Sequence, residues 1–369
     1  MNDIKVYIQY PWKFRDSNYY KKMVEFPPKG VLYLNATSSG ENTINRKKLF
    51  VSNYIKKILR MPFKKFNLSM INTKKTNTNL NYEVIHCAHC LSLNKSPWVA
   101  DFESTWQFFL SGKIKESSKR KVEKIILSED CKRILPWTEA TRKEISKMFP
   151  KKEIKNKLET VTYALAPPKK IKKDKDKINL LYVSRYFYQK GGFQSIKVLD
   201  LLTKKYDNVN ATFISSTPKE VYEKYQDNKK IKMLEMQPWD RVYNKIMPKS
   251  DIFINPGFTD TFGFLFIEAL ANGLPVITVD GYARKEIINK KQGFVLDRPK
   301  IGWDNEKPVI KKETELINDL VKKTSLLIEN KKIRNQMANE GRKEILEGKF
   351  SLKERNKKLK EIYEDSIRK

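Results

Sequence analysis

Residues 256–277 read PGFTDTFGFLFIEALANGLPVI and are the most informative part of the sequence. Its glycine-flanked apolar centre predicts a buried helix, and the residues from Pro275 onward predict a strand. Two acids stand eight positions apart, with Asp260 in the loop before the helix and Glu268 inside it. A carboxylate in an apolar helix is unfavourable unless it has polar partners. Glu268 therefore indicates a binding site rather than an ordinary core helix.

The start of this helix suits an anionic ligand that also carries hydroxyl groups. The first amides of a helix have no partner within the helix, and the helix dipole favours anions at that end. A carboxylate such as that of Glu268 can accept two hydrogen bonds from neighbouring hydroxyls. The stretch therefore predicts a site for a phosphorylated sugar compound.

A second segment, residues 181–192, reads LYVSRYFYQKGG and places two cations after a predicted strand. Arg185 follows the strand directly, and Lys190 lies in the loop that leads to the next helix. Arginine binds phosphate oxygens bidentately and lysine acts as a point charge, so the pair suits a diphosphate. Taken alone, the segment is more typical of two solvated cations in a lysine-rich chain than of a phosphate site.

Strands alternate with helices along the chain, which predicts two doubly wound α/β domains with parallel sheets. A run of Pro, Lys and Asp at 166–177 indicates a linker between them. We expect an N-terminal domain over 1–165, a C-terminal domain over 166–350, and a last helix over 351–369 that returns to the first domain. Within the first domain, Val122–Ser128 is predicted to be a strand that ends in a turn. Ligands are expected in the cleft between the domains.

Composition limits the class of protein. The chain has 369 residues, and its 75 Lys and Arg against 43 Asp and Glu give a net charge of +32. Such a charge attracts polyanions, unless it reflects only a compositional bias toward lysine. No stretch reaches the roughly 18 apolar residues of a spanning helix, and the first residues do not form a secretion signal. Three cysteines are too few for a disulfide framework. A cytoplasmic protein is expected.

Residues 45–66 combine apolar side chains at helical spacing with many cations, and no acid lies between Glu41 and Glu83. Two interpretations remain open. A basic amphipathic helix could bind an anionic membrane surface, which would place the protein at the inner membrane face. Alternatively, the helix packs its apolar side on its own domain and leaves its cations in solvent.

The segment His86-Cys-Ala-His-Cys90 contains both histidines of the chain and invites a metal interpretation. Its spacing is too cramped for one tetrahedral site, and further ligands are missing from the sequence nearby. A buried strand end with apolar cysteines is the favoured interpretation. No metal site is predicted.

The two motif segments together resemble the retaining nucleotide-sugar glycosyltransferases of family 4. That family shows Gly-Arg, a spacer and Lys-Gly, which read Ser184-Arg185 and Lys190-Gly191 here. It also shows Phe-Gly followed by Glu-Ala-x-Ala-x-Gly-x-Pro-Val, which reads Phe262-Gly263 and then residues 268–276. The family's first glutamate is Asp260 in this chain. The resemblance covers about residues 165–365, and it implies the GT-B fold of two Rossmann-like domains facing across a cleft.

The resemblance implies a hexosyl- or glycosyltransferase of EC class 2.4 that moves a sugar from a nucleotide diphosphate to a hydroxyl of a glycan or glycolipid. It implies retention of configuration and no cofactor, since the nucleotide sugar is a co-substrate. No metal is expected, because cations and helix amides would stabilise the departing diphosphate. Arg185 and Lys190 would hold the diphosphate, and Asp260 would face the donor sugar as a third catalytic residue. Glu268 would bind the ribose. Donor contacts are further implied for the residues around the helix start, namely Thr261, Phe262, Gly263, Phe264 and Leu265.

In the N-terminal half the resemblance is weaker. The family's glycine-rich loop after the first strand is missing here, so Ser17 or neighbouring amides are expected near the phosphates. On the acceptor side, the matching strands point to Asp101, Glu103 and His86.

Two other classes of function stay open. A net charge of +32 would suit a nucleic-acid-binding protein. The sequence, however, has no helix-turn-helix, zinc or aromatic RNA-binding signature, so no specific nucleic-acid partner is expected. A GT-B nucleotide-sugar epimerase is the third interpretation, in which the donor is consumed without an acceptor.

Overall fold

A computed structural model describes residues 3–9, 17–36, 70–110, 114–169, 171 and 176–368. The stretch 45–66, for which a basic amphipathic helix is predicted, lies outside the described residues. The chain divides into two compact units. One comprises Met1–Ala164 together with Leu352–Lys369, and the other comprises Leu165–Ser351.

A five-stranded parallel sheet forms the centre of the N-terminal unit. Its spatial order is β2-β1-β4-β6-β7. The strands are β1 (Ile4–Gln9), β2 (Val31–Tyr33), β4 (Val84–Ala88), β6 (Trp98–Phe102) and β7 (Cys131–Pro136), with a separate short pair of β3 (Thr73–Lys74) and β5 (Leu91–Ser92). Every residue of β4 and β6 is buried, as expected for parallel strands that are covered on both faces.

Among the residues that the structure describes, four α-helices of this unit precede the second unit in the sequence. They are α1 (Asn18–Glu25), α2 (Glu116–Leu127), α3 (Glu139–Met148) and α4 (Lys152–Asn156). The strand prediction for Val122–Ser128 is wrong, because these residues form the last turns of α2 and its C-cap. Ser118, Val122 and Ile126 are buried at intervals of four, which is the period of one helix face. The strand of this region is β7, which begins only at Cys131.

The C-terminal unit has a six-stranded parallel sheet in the order β10-β9-β8-β11-β12-β13. Its strands are β8 (Ile178–Ser184), β9 (Val209–Ser215), β10 (Ile231–Leu234), β11 (Ile252–Ile254), β12 (Val276–Val279) and β13 (Gly293–Leu296). The chain adds strands on one side from β8 to β10 and on the other side from β11 to β13. Between β8 and β11 the order reverses, and ligands of doubly wound sheets bind outside the carboxyl ends of the strands at such a point.

The described residues also include eight further α-helices and a hairpin. The helices are α5 (Gly192–Lys205), α6 (Lys219–Tyr225), α7 (Trp239–Arg241), α8 (Phe264–Ala271), α9 (Arg284–Ile287), α10 (Glu313–Glu329), α11 (Lys331–Leu346) and α12 (Leu352–Ile367). An antiparallel hairpin of β14 (Ile301–Asp304) and β15 (Lys307–Ile310) was not predicted. Within the described residues, no helix has both the length and the apolar character that crossing a bilayer requires.

The last helix, α12, is fixed to the N-terminal unit by buried polar contacts. The Arg355 guanidinium donates hydrogen bonds to the carbonyl oxygens of Lys22 at 3.2 Å and Phe26 at 2.6 Å. The Tyr363 hydroxyl lies 2.6 Å from Nδ1 of His86 on β4. Buried groups of this kind are unfavourable without their partners, so α12 is an integral part of this unit.

Candidate active site

Two glycines set the start of the helices that follow β8 and β11. Gly191 has φ 72° before α5, and Gly263 has φ 94° before α8. A Cβ atom would lie 2.8 Å from the Pro256 side chain at the first position and 2.6 Å from the Phe266 ring at the second. Left-handed backbone and lack of space together require glycine here. The tight turns bring the backbone of both loops close to the carboxyl ends of the strands.

The loops after β8 and β11 are joined by hydrogen bonds. The amide of Gly257 donates to the Lys190 carbonyl oxygen at 3.2 Å, and the amide of Thr259 donates to that of Gln189 at 3.1 Å. The Lys190 ammonium group donates to the carbonyl oxygen of Thr259, 69 positions away in sequence. The two motif segments are therefore one structural site within the C-terminal unit.

Asp260 lies between two cations. Lys190 Nζ is 3.2 Å from Asp260 Oδ1, and Arg284 Nη1 is 3.9 Å from Asp260 Oδ2. The side chains of Lys190 and Asp260 are 18% and 22% exposed, so a ligand can reach this ion pair. The arrangement is therefore a partly open charge pair above a buried arginine.

Glu268 is 1% exposed within α8 and is held by a tryptophan. The Trp239 indole N–H donates to Glu268 Oε1 at 2.7 Å. The Trp239 ring stacks on Tyr243 with 4.7 Å between ring centroids, and the Tyr243 hydroxyl donates to the Ala166 carbonyl oxygen at 2.7 Å. This chain of contacts orients the carboxylate, which can accept further hydrogen bonds from a diol.

The remaining donor-side residues surround the start of α8 and the end of β8. Thr261, Phe262 and Gly263 form the loop before α8, while Phe264 and Leu265 are its first residues. Amides at this end of a helix are suited to phosphate oxygens. Arg185 directly follows β8 and has an exposed side chain. A phosphorylated ligand at these loops would meet a helix start, Lys190 and Arg185 together.

The range that contains this site has a known family signature. Residues 166–344 match the family model described as Glycosyl transferases group 1. These residues are a glycosyl transferases group 1 domain. All of the donor-side residues described above, from Arg185 to Glu268, lie inside the matched range. The prediction that the chain is a glycosyltransferase is therefore confirmed at the level of this domain.

A curated relative and two solved structures are similar to the chain. The gpi3 subunit of phosphatidylinositol N-acetylglucosaminyltransferase from Schizosaccharomyces pombe is 28% identical over 116 residues, which cover 30% of this chain and 25% of that protein. The chain thus matches about a quarter of the relative's length. A glycosyltransferase from Rickettsia africae ESF-5 has a TM-score of 0.63 at 14% identity over 100% of both chains. Anabaena HepE in complex with UDP and glucose has a TM-score of 0.58 at 11% identity, covering 98% of this chain and 99% of HepE. At such identities the likeness concerns the fold, and the predicted GT-B fold is confirmed.

Two residues of the glycosyl transferases group 1 domain that contact the predicted site were missed at the sequence level. Trp239 holds Glu268, and Arg284 lies against Asp260. Both positions follow the carboxyl end of a strand of the same sheet, Trp239 after β10 and Arg284 after β12. That position in a parallel sheet is a signal that could have marked them.

We expect Trp239→Phe to weaken nucleotide binding to the glycosyl transferases group 1 domain about tenfold, because it removes one hydrogen bond to a charged group, roughly 1.5 kcal/mol. The phenyl ring can keep the stack on Tyr243, so the fold should persist. Calorimetric titration with nucleoside diphosphates measures the effect. Trp303→Phe, on the β14–β15 hairpin, is the matched control and should leave the affinity unchanged. Equal affinities for Trp239→Phe and the unaltered protein would contradict the role given to Trp239.

In the N-terminal unit, the predicted acceptor-side residues differ in accessibility. His86 and Asp101 are fully buried, with His86 Nε2 2.8 Å from Asp101 Oδ2. The Tyr20 hydroxyl donates to the other oxygen of Asp101. Glu103 is partly exposed at the end of β6. Ser17 is the half-buried N-cap residue of α1, and its side chain makes no capping hydrogen bond. Of the acceptor-side set, Glu103 alone reaches the surface of the described unit.

The cysteines near these residues are buried. Cys87 and Cys90 lie at the end of β4 and in the turn that follows, and the Cys87 thiol donates to Gln9 Oε1 at 3.1 Å. Burial raises the pKa of the Cys87 thiol well above its usual value. In the part of the chain that the structure describes, no three His, Cys, Asp or Glu side chains are grouped at metal-ligand spacing.

His89 is a second buried histidine, packed edge-on against Trp137 with 4.7 Å between ring centroids. Burial lowers the pKa of His89 from 6.5 to about 4, although the nearby Asp101 carboxylate opposes this. Protonation below pH 6.5 therefore favours the unfolded chain, in which His89 has its ordinary pKa.

We expect the stability of the N-terminal unit to fall as the pH decreases from 6.5 to 4, by on the order of 3 kcal/mol from His89. Above pH 6.5 this contribution is fully present. Urea unfolding at a series of pH values measures it. His89→Asn is the comparison variant, because asparagine tolerates the left-handed φ of 54° at this position. The variant should lose this part of the pH dependence. If the free energy of unfolding changed equally with pH in both proteins, the assignment to His89 would be contradicted.

Proposed function

We propose that this protein is a retaining glycosyltransferase of family 4 that transfers a sugar from a nucleoside diphosphate to a hydroxyl of a glycan or a lipid-linked acceptor. The observation that carries the proposal is the Lys190–Asp260 pair, with 3.2 Å between Nζ and Oδ1, between the loops after β8 and β11. It combines a cation for phosphate with a carboxylate for sugar hydroxyls. The glycosyl transferases group 1 domain supports the same conclusion.

In this proposal the donor is bound by groups of matching chemistry. The ribose diol donates hydrogen bonds to the Glu268 carboxylate, which Trp239 already orients. The diphosphate contacts the first-turn amides of α8 and the cations of Arg185 and Lys190. The sugar lies toward Asp260, whose oxygens can accept hydrogen bonds from its hydroxyls.

The proposed reaction breaks the bond between the anomeric carbon and the β-phosphate oxygen. The acceptor oxygen forms a bond to the anomeric carbon on the same face, and the acceptor proton moves to the departing phosphate oxygen. Fixed charges and dipoles that face developing charge can supply several kcal/mol of transition-state stabilisation. Arg185, Lys190 and the α8 amides would stabilise the departing diphosphate in this way, so we propose that the reaction is metal-independent.

We propose a uridine nucleotide as the donor, with a hexose or N-acetylhexosamine as the sugar. Two findings support this choice. One similar structure is HepE in complex with UDP and glucose, and the Schizosaccharomyces pombe relative is a subunit of an N-acetylglucosaminyltransferase. The enzyme to which that relative belongs is a phosphatidylinositol N-acetylglucosaminyltransferase, which favours a lipid-linked acceptor.

Thermal unfolding in the presence of UDP, GDP, ADP and their sugars tests the proposed donor. We expect UDP and UDP-sugars to raise the melting temperature, because a ligand that binds only the folded state stabilises it. No shift with any nucleotide would contradict the function. Consumption of a UDP-sugar by epimerisation, with no acceptor present, would instead indicate an epimerase.

We also propose that the protein associates peripherally with the cytoplasmic face of a membrane. The support is the sequence of residues 45–66, with its cations and helically spaced apolar side chains. Flotation with vesicles that contain phosphatidylserine tests this at low and high salt. Salt-sensitive binding is expected, and a protein that stays unbound at low salt would contradict membrane association.

A further inference from the structure

Arg284 is a buried cation directly beneath the candidate active site. Its side chain is 2% exposed, and its Nη2 donates to the Gly257 carbonyl oxygen at 2.9 Å. Its guanidinium lies over the Phe266 ring with 3.9 Å to the ring centroid. Gly257 has φ 56°, and a Cβ there would lie 2.8 Å from Nη2 of Arg284. The loop after β11 is thus shaped to let the guanidinium lie against its backbone.

This arginine has unsatisfied hydrogen-bonding capacity. Its Nε and Nη1 atoms are buried without a hydrogen-bond partner. Burial lowers the pKa of Arg284 to about 10, although the neighbouring Asp260 carboxylate opposes this. Burying a cation that is incompletely bonded is unfavourable for stability. Such an arrangement is more typical of a functional site than of a structural brace.

A structural arginine of the same unit offers a direct contrast. Arg342 donates from Nη1 to the Ala271 carbonyl oxygen at 2.9 Å and from Nη2 to that of Pro168 at 3.4 Å. Both of its terminal nitrogens are used to join backbone segments. In Arg284 only Nη2 has such a bond, while Nη1 is directed at the carboxylate of Asp260, 3.9 Å away.

Asp260 has a second cation, Lys190, which the proposed function assigns to the ligand. Lys190 Nζ is 3.2 Å from Asp260 Oδ1, and the proposed function requires the same ammonium group for the diphosphate. When Lys190 turns toward the phosphates, its contact with Asp260 weakens. A movement of about 1 Å would then bring Asp260 Oδ2 within hydrogen-bonding distance of Arg284 Nη1.

We propose that Arg284 is a positioning residue that holds the Asp260 carboxylate toward the donor sugar while Lys190 is bound to the diphosphate. This inference rests on the proposed function. It assigns the two cations different roles, with Lys190 on the leaving group and Arg284 on the carboxylate. It also gives a role to Asp260, which is shorter than the glutamate of the resembled family at this position. The carboxylate of Asp260 stays within reach of the buried guanidinium.

A double-mutant cycle of Arg284→Met and Asp260→Asn tests the proposal, with UDP-sugar turnover as one readout. Arg284→Met alone is expected to lower kcat about 100-fold through misplacement of Asp260. The affinity for free UDP should change less than about threefold, because UDP carries no sugar. In the Asp260→Asn background, Arg284→Met should have no further effect on kcat.

Controls separate positioning from a loss of stability. Arg342→Met removes another arginine of the same unit and should act additively with Asp260→Asn. Arg284→Lys retains a cation and should recover part of kcat, and it replaces Arg284→Met in the cycle if that variant does not fold.

The outcomes distinguish this inference from the proposed function. Additive effects of Arg284→Met and Asp260→Asn would overturn the positioning role of Arg284. An equal loss of affinity for UDP and UDP-sugar in Arg284→Met would do the same. Neither outcome would contradict the proposed function. If the unaltered protein neither binds nor turns over any nucleotide sugar, the proposed function and this inference both fail.

Discussion

Glu268→Gln should lower the affinity for UDP about 100-fold. The carboxylate is 1% exposed and accepts a 2.7 Å hydrogen bond from Trp239, so the protein fixes its orientation. Hydrogen bonds to a charged group are each worth about 1.5–3 kcal/mol, and a neutral amide keeps only part of that. A loss of roughly 3 kcal/mol corresponds to the stated factor.

Calorimetric titration of Glu268→Gln with two ligands makes the experiment specific. UDP and a 2′,3′-dideoxy analogue should differ about 100-fold in affinity for the unaltered protein and only slightly for the variant. Glu315→Gln is the matched control, because Glu315 pairs with Lys312 on the surface at 2.8 Å. If Glu268→Gln still distinguished the two ligands fully, the ribose would have to be bound elsewhere.

Lys190→Met is expected to reduce kcat/KM for sugar transfer about 1000-fold, because the loss of one preorganised group that stabilises developing charge costs roughly 3–4 kcal/mol. The same change removes the partner that lies 3.2 Å from Asp260. Affinity for the nucleoside uridine should be unaffected, whereas affinity for UDP should fall, since only UDP carries the phosphates.

Initial rates of UDP-sugar turnover and direct binding measure these effects. Lys197→Met is the matched control, because Lys197 is a partly buried lysine of α5 that pairs with Glu313 at 3.5 Å rather than with Asp260. We expect the control to retain activity within about twofold, because an ion pair near the surface contributes little. Activity of Lys190→Met at the level of this control would refute the assignment of the diphosphate site.

The predicted fold class followed from local patterns that the structure retains. The apolar runs that became β8 and β11 are short, β-branched and bounded by glycine or polar residues, so their type could be recognised from neighbours in sequence. The error at Val122–Ser128 arose where a short apolar run fits either period. The segment forms a helix rather than a strand, because the helical spacing of Ser118, Val122 and Ile126 gives α2 one buried face.

The site could be anticipated only where its residues carry a sequence motif. Lys190 and Asp260 belong to two such segments, and the structure places them in one ion pair. Trp239 and Arg284 lie in stretches without a motif, and only the order of the strands brings them to Glu268 and Asp260. Their place after a strand marks the sheet edge on which they lie. Which residue each one contacts depends on tertiary packing, and a single sequence does not reveal that.

The position of α12 has a consequence for how the protein is made. Its Arg355 and Tyr363 complete the N-terminal unit, yet a ribosome synthesises them after the entire second unit. During synthesis, the surface of the first unit that α12 covers therefore stays exposed while some two hundred further residues emerge, at roughly 5–20 residues per second. The second unit, Leu165–Ser351, is continuous in sequence and has no such delay. Synthesis thus reverses the expected order, because the unit that begins first is the last to be completed.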